Sequence, residues 1–377
     1  MNKSIFILIF SFLFTFNLWS QDRVNLKEQI DKIIYFDTEI KLSETPGFII
    51  GVKYQDSLFY FGYGSISRNF NKVPDEKTIF EIGGLTKTFT SSLVSVLVEE
   101  GKMEFEKPLN SYFSLSEKNE ETQLITIDQL LTHTSRLPRM PIEFGVKEIE
   151  ENNPYAHYTK QDLMEFYKEY IPLEPKKRRK ENKKKKHKNN YSYSHLNYAL
   201  IEMAIESCQS NSFEKLLTDK ILAPIDMVDT RIELSENQKK RLATGYTTSG
   251  QSTPPWTFQS FKASEGLKST AQDLVKFAET HMGENNSQLT KAFYATHEGR
   301  KATNRNKKIV SARGWHIISP KNYHDIILHT GNTNGHRSYL AFVKESETAV
   351  VILTNSEHNL YNLGYYILRM LNNNWVK

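Results

Sequence analysis

The chain has 377 residues, 38% of them hydrophobic and 12% aromatic, which is enough apolar material for a folded core and excludes a disordered polypeptide. Its formal charge of +5 is local: residues 176–188, "KKRRKENKKKKHK", hold ten Lys/Arg against one Glu, and without that +9 the remainder carries −4. The single cysteine, Cys208, excludes an intrachain disulfide and falls on an apolar segment, where a buried structural thiol is expected.

The N-terminus, "MNKSIFILIFSFLFTFNLWSQ", sets a lysine ahead of an apolar run ending at Trp19, the pattern of a secretory signal over residues 1–20. It predicts export to the periplasm or the medium, with an uncleaved N-terminal membrane anchor as the alternative. Residues 22–44 have helical spacing through Val24, Leu26, Ile30, Ile33 and Ile34. Two β-rich runs, 48–54 and 58–63, flank Gln-Asp-Ser and read as a hairpin. A helix over 86–100 follows, with Phe89, Leu93, Val96 and Leu97 on one face and Gly101 as its C-cap. Helical patches are expected at 126–133, 160–170, 196–208, 212–222 and 271–282. The tail returns to strands at 309–318, 324–329, 338–344 and 348–354, and a helix over 359–374 closes the chain. Strands at both ends around a helical middle predict an α/β sheet domain from 21–107 and 300–377, with a helical domain inserted over 108–299 and a basic loop at 176–190.

Acyl transfer by a serine needs a nucleophile on a rigid turn, a base beside it, and N–H donors for the oxyanion. A helix N-terminus suits the nucleophile, because its unpaired N–H groups and positive dipole end favour developing negative charge. Gly83-Gly84-Leu85-Thr86-Lys87 has this arrangement, with Lys87 one turn after position 84, but position 84 has no hydroxyl. Thr86 lies on another side of the helix and Thr88 one turn too deep to replace it.

"TIFEIGGLTKTFTSSLVSVLVEEGK" resembles the first motif region of the β-lactamase-related serine hydrolases, which include class C β-lactamases and D-alanyl-D-alanine carboxypeptidases. "ITIDQLLTHTSRLP", "YSYSHLNYALIEMAIE", "LLTDKILAPIDMVDT", "ATGY" and "ILHTGNTNGHRSYLAFVKESETAVVILTNS" resemble further stretches of that family in the same order, over about residues 28–370. The resemblance implies a β-lactamase/transpeptidase-like α+β fold: an antiparallel sheet flanked by helices, with the cleft against the inserted helical domain. It implies Lys87 as base or proton relay and Tyr193 as its partner, roles that require a depressed pKa for at least one of the two. It also implies His195 in the substrate site, His329, Thr330 and Gly331 on the strand that pairs with substrate, and the N–H of Asn332 beside that of residue 84 in the oxyanion hole.

Four positions depart from the family pattern. Gly84 stands for the serine, His195 for an asparagine, Arg136 for a glycine and Glu265 for a glycine. The reading that follows is a pseudoenzyme that binds a peptide, peptidoglycan-type or other small ligand in the ancestral cleft without acylation. Two alternatives stand beside it. One is an active hydrolase of amides, esters or β-lactams, using a non-standard route or carrying an introduced Gly84; the other is a scaffold whose lysine-rich loop binds an anionic partner. A solvated loop is the default for residues 176–188, and an anionic membrane or envelope surface is the partner expected if the run binds. Nucleic acid is not expected, since the run has no interleaved aromatics. No His-Glu-x-x-His or clustered Cys/His spacing is present, so no metal or other cofactor is expected. Trp256, after two prolines, is expected to pack.

Overall fold

The computed structural model describes residues 23–40, 44–113, 124–145, 153–170, 191–283, 287–303, 309–321 and 323–372. The signal segment and the basic run 176–188 lie outside the described residues. Among those residues, no helix is long and apolar enough to cross a membrane.

An eight-stranded sheet forms the frame. Its strands are β1 (Gly47–Tyr54), β2 (Ser57–Gly64), β3 (Lys301–Ala302), β4 (Ile309–Ser311), β5 (His316–Ile318), β6 (Ile326–Asn332), β7 (Arg337–Val343) and β8 (Thr348–Thr354). The order is β2-β1-β8-β7-β6-β5-β4-β3, and every pairing is antiparallel. N- and C-terminal segments therefore meet at the β1–β8 pair, where Phe48 opposes Thr354 and Tyr54 opposes Thr348. Both faces of these central strands are covered, which explains their near-continuous apolar runs. Phe48, Ile50, Val52, Val350 and Ile352 face one way, onto Leu26 and Ile30 of the helical segment 23–32 and onto Leu363 and Ile367. Ile49, Val351 and Leu353 face the other way, into the larger core.

That larger core is built around α1 (Thr86–Glu99), whose residues from Thr86 to Leu97 are all buried. Its hydroxyls, Ser95 Oγ excepted, are satisfied locally or across the core, which lets a helix with so many threonines and serines sit there: Thr88 bonds Leu85 O at 2.8 Å, Ser92 bonds Thr88 O at 3.0 Å, and Thr90 bonds Ala263 O at 2.6 Å. Gly101, at φ +69°, follows its end as expected. Around it lie α2 (His195–Gln209), α3 (Ala271–Met282) and α4 (Ser287–Thr296), and α5 (Tyr361–Leu371) covers the opposite sheet face. Although α3 lies in the segment expected to form a separate helical domain, it packs on β1, β7 and β8, and one continuous apolar cluster joins the two regions. Cys208 is half-buried rather than fully enclosed, because it sits in the last turn of α2.

Candidate active-site cleft

The turn Gly83–Leu85 precedes α1 and is gripped from two sides. On one side Phe80 and Glu81 pair with Lys268 and Ser269, and Ile82 N–H donates to Leu267 O at 3.1 Å. That pairing carries the neighbouring Ser264 and Glu265 against the first turn of α1. On the other side β6 crosses the turn. A Cβ at Gly331 would overlap the Ile82 carbonyl oxygen, and one at Gly83 (φ +48°) would lie 2.7 Å from Asn332 O. Both glycines are therefore required by the close approach of strand to turn. It brings the backbone N–H regions of residues 84 and 332 to one spot, where a Cβ on Gly331 would also lie 2.8 Å from Gly84 N.

The second wall comes from the start of α2. Ser194 caps it, accepting from Asn197 N–H at 3.1 Å and donating to Pro138 O at 2.7 Å. Arg139 O accepts from the N–H groups of His195 and Leu196, and His133 Nδ1 accepts from Ser194 N–H at 3.1 Å. This lattice fixes Tyr193 one residue ahead of the cap, with the His133 ring 4.4 Å from its ring. Ser135 Oγ donates to Asn197 Oδ1 at 2.8 Å and serves the same joint. Arg136 holds a left-handed φ of +67°, a conformation in which glycine carries no steric cost.

Seven of the eight residues singled out in sequence, all but Lys87, line one cleft. The cleft, of about 460 Å³, is lined by Gly84, Tyr193, His195, His329, Thr330, Gly331 and Asn332. Lys87 lies under its floor, fully buried. A Cβ at Gly84 would stand 3.1 Å from Tyr193 Oη, 3.4 Å from Lys87 Nζ and 3.4 Å from Thr330 O. Thr86 Oγ1 accepts from Leu267 N–H at 3.1 Å and Thr88 bonds Leu85 O, so both neighbouring hydroxyls are occupied by structure.

Two positions that depart from the family pattern meet at Lys87. Its ammonium donates to Glu265 Oε1 at 2.5 Å and to Ser264 O at 3.0 Å. The same carboxylate oxygen is in short contact with His195 Nδ1, a pairing that needs the ring proton on that nitrogen while Glu265 is ionised. Burial pushes the Glu265 carboxyl up, but Lys87 and His195 outweigh it and bring it down to about 2. Burial lowers His195 to about 4 despite the carboxylate. Burial also lowers Lys87, with Glu265 opposing. Tyr193 moves the other way, well above 10, through burial and then the Glu265 charge. Of the implied Lys–Tyr pair, only the lysine is shifted in the direction a base requires, and the phenol stays protonated.

Among the cleft-lining residues that sequence reading missed are Arg139, Tyr191 and His316. Tyr191 and His316 are joined at 3.0 Å from Oη to Nε2, and Arg139 stands 5.3 Å from the Tyr193 ring centre. His316 comes from β5, next to β6 in space, and had no local signal; Arg139 follows the "HTSRLP" stretch and could have been flagged as a second arginine there. Trp256 packs, with its ring 5.1 Å from that of Tyr155 and outside the cleft lining. Among the described residues, no group of three or more His, Cys, Asp or Glu is placed to hold a metal ion.

The family model described as Beta-lactamase matches residues 37–367. The chain belongs to the beta-lactamase family. Among curated relatives, a beta-lactamase of Providencia stuartii is 23% identical over 358 residues, covering 87% of this chain and 86% of the relative. Protein flp of Staphylococcus aureus (strain N315) is 24% identical over 343 residues, covering 87% of this chain and 63% of the relative. Among solved structures, a class C beta lactamase superposes with a TM-score of 0.77 at 20% identity, covering 93% of this chain and 99% of that one. A Pseudomonas syringae beta-lactamase/D-alanine carboxypeptidase gives 0.75 at 18%, with 92% and 99% covered. At these identities the likeness establishes the beta-lactamase fold, and the chemistry rests on the residues of this cleft.

Proposed function

We propose that this beta-lactamase-family chain binds a small carboxylate-bearing or peptide-like ligand in the cleft and forms no acyl-enzyme. The observation that carries the reading is Gly84: its absent Cβ lies within 3.4 Å of both Lys87 Nζ and Tyr193 Oη, where a nucleophile would need its oxygen, and no oxygen is there. Without a covalent nucleophile the double displacement has no first step. The binding parts are intact in kind. Thr330 to Asn332 run past the end of the β5 pairing, which stops at Leu328, and so offer backbone groups to an extended ligand. Exposed Arg139, with no ion pair among the described residues, supplies positive charge at the cleft wall. The departures at Arg136, His195 and Glu265 favour divergence of the whole site over a single introduced replacement. The apolar N-terminal run supports placing this function outside the cytoplasm.

A fluorescent penicillin tests the reading. The expected result is saturable binding that is lost on denaturation. A label that survives denaturation and maps to any residue of the chain would contradict it.

A further inference from the structure

The buried cluster under the cleft floor has a consequence beyond the missing hydroxyl. Acylation by a hydroxyl at position 84 needs a neutral amine at Lys87 to take its proton. Among the described residues, three elements surround Lys87, and His195 Nδ1 lies 3.3 Å from its Nζ. Glu265 and Ser264 come from the segment 262–265, and Oε1 of Glu265 accepts the ammonium at 2.5 Å. His195 and Tyr198 come from α2, with the Tyr198 ring centre 5.7 Å from Nζ, and Tyr193 lies just before that helix at 5.2 Å. Arg139, His133 and His329 act on it or feel it at longer range. Glu265 is the only anion in this set, and it is nearly inaccessible to solvent. His195 touches the same oxygen and so pins the carboxylate rotamer.

We propose that Glu265 is a proton lock, positioned by His195, that holds Lys87 as the ammonium and closes the cleft to serine-type acylation at a second point, independent of residue 84. The inference rests on the non-acylating reading above and deepens it. Two replacements far apart in sequence converge on one oxygen atom, and that oxygen takes the proton-accepting group out of use. Restoring the hydroxyl alone therefore does not restore the chemistry. In the restored reaction the introduced hydroxyl oxygen would bond to the β-lactam carbonyl carbon and the ring C–N bond would break. The hydroxyl proton would pass to the Lys87 amine and on to the leaving nitrogen. Burial alone would push Lys87 toward the neutral amine; Glu265 opposes that push, and an amine it keeps protonated has no lone pair for the first transfer.

The test compares Gly84→Ser with Gly84→Ser/Glu265→Gln, using a fluorescent penicillin and following covalent label against pH. An opposite charge within contact distance shifts a pKa by about 1–3 units, so removing it should raise the neutral amine fraction about ten- to thousandfold. The double variant is expected to acylate at least tenfold faster at pH 7, with its pH–rate profile displaced to lower pH. Gly84→Ser/His195→Phe removes the contact that positions the carboxylate and is expected to move the profile to lower pH, by less than Glu265→Gln does. Equal rates with superimposed profiles would overturn the lock, and so would failure of both Gly84→Ser and the Glu265→Gln double variant to label. Failure of the non-acylating reading is separately visible, as label on the unsubstituted chain.

Discussion

Lys87 and Glu265, 178 residues apart in sequence, form a buried ion pair at 2.5 Å beneath the cleft floor, with side chains 0% and 2% exposed. Desolvating two charges is costly, and their mutual attraction offsets that cost only while both are present. The cluster is thus structural as well as chemical.

Breaking the pair on one side should therefore be expensive. Glu265→Leu leaves the Lys87 ammonium buried without its anion and is expected to cost about 3–5 kcal/mol of stability. Lys87→Met in the same chain should recover most of that loss. Urea denaturation of the two single variants and the double variant measures the coupling, and additive losses would refute it.

Acidification should destabilise the fold. His195 titrates at about 4 in the fold against an ordinary 6.5, so the unfolded chain takes up its proton first and stability is lost as pH falls through that interval. His133, His281, His297 and His329, all held well below 6.5 by burial, act with the same sign. Glu265, at about 2 against 4.5, extends the loss to lower pH. Asp273 opposes it: burial raises its carboxyl from 3.8 to about 6, so the folded state binds that proton first and gains stability as pH falls between those values. The melting temperature is expected to fall from pH 7 to pH 4, and Asp273→Asn to steepen the fall. A melting temperature that rose on acidification would contradict this balance.

Gly331→Ala should disturb the cleft from the strand side. The added methyl would overlap Ile82 O, so β6 must move off the turn that carries Gly84. Overpacking of this kind costs about 1–3 kcal/mol. The expected result is that loss in denaturation together with weaker binding of a fluorescent penicillin. Unchanged binding would mean that the cleft does not depend on the strand–turn contact.

Arg136→Gly should stabilise. A non-glycine residue in the left-handed region costs about 1–2 kcal/mol, part of which glycine returns through its greater entropy when unfolded. A net gain of up to about 1 kcal/mol is expected from denaturation midpoints.

Much of the fold was legible because its local signals agree with its packing. The hairpin of β1 and β2, α1 with Gly101 behind it, and β7 and β8 fall where apolar periodicity puts them, while β6 runs to Asn332, three residues past the expected end at 329. Their residues are buried for the same reason they are patterned. Domain membership was less legible, since the amphipathic pattern of α3 says that one face is covered but not that β1 and β8 cover it. In the site, Lys87, Tyr193 and the 329–332 strand could be named from motifs. The ion pair could not, because neither "GGLTK" nor "ASEGLKST" carries any mark of the other. His195 and Glu265 read as two separate departures until the chain brings them to a shared oxygen.

The most direct test of the central claim is the intact mass of the unsubstituted protein after prolonged incubation with excess benzylpenicillin and rapid denaturation. Binding without acylation predicts the unmodified mass at every time point. A mass increase equal to one penicillin would show that the cleft, or another nucleophile of the chain, forms an acyl bond despite Gly84.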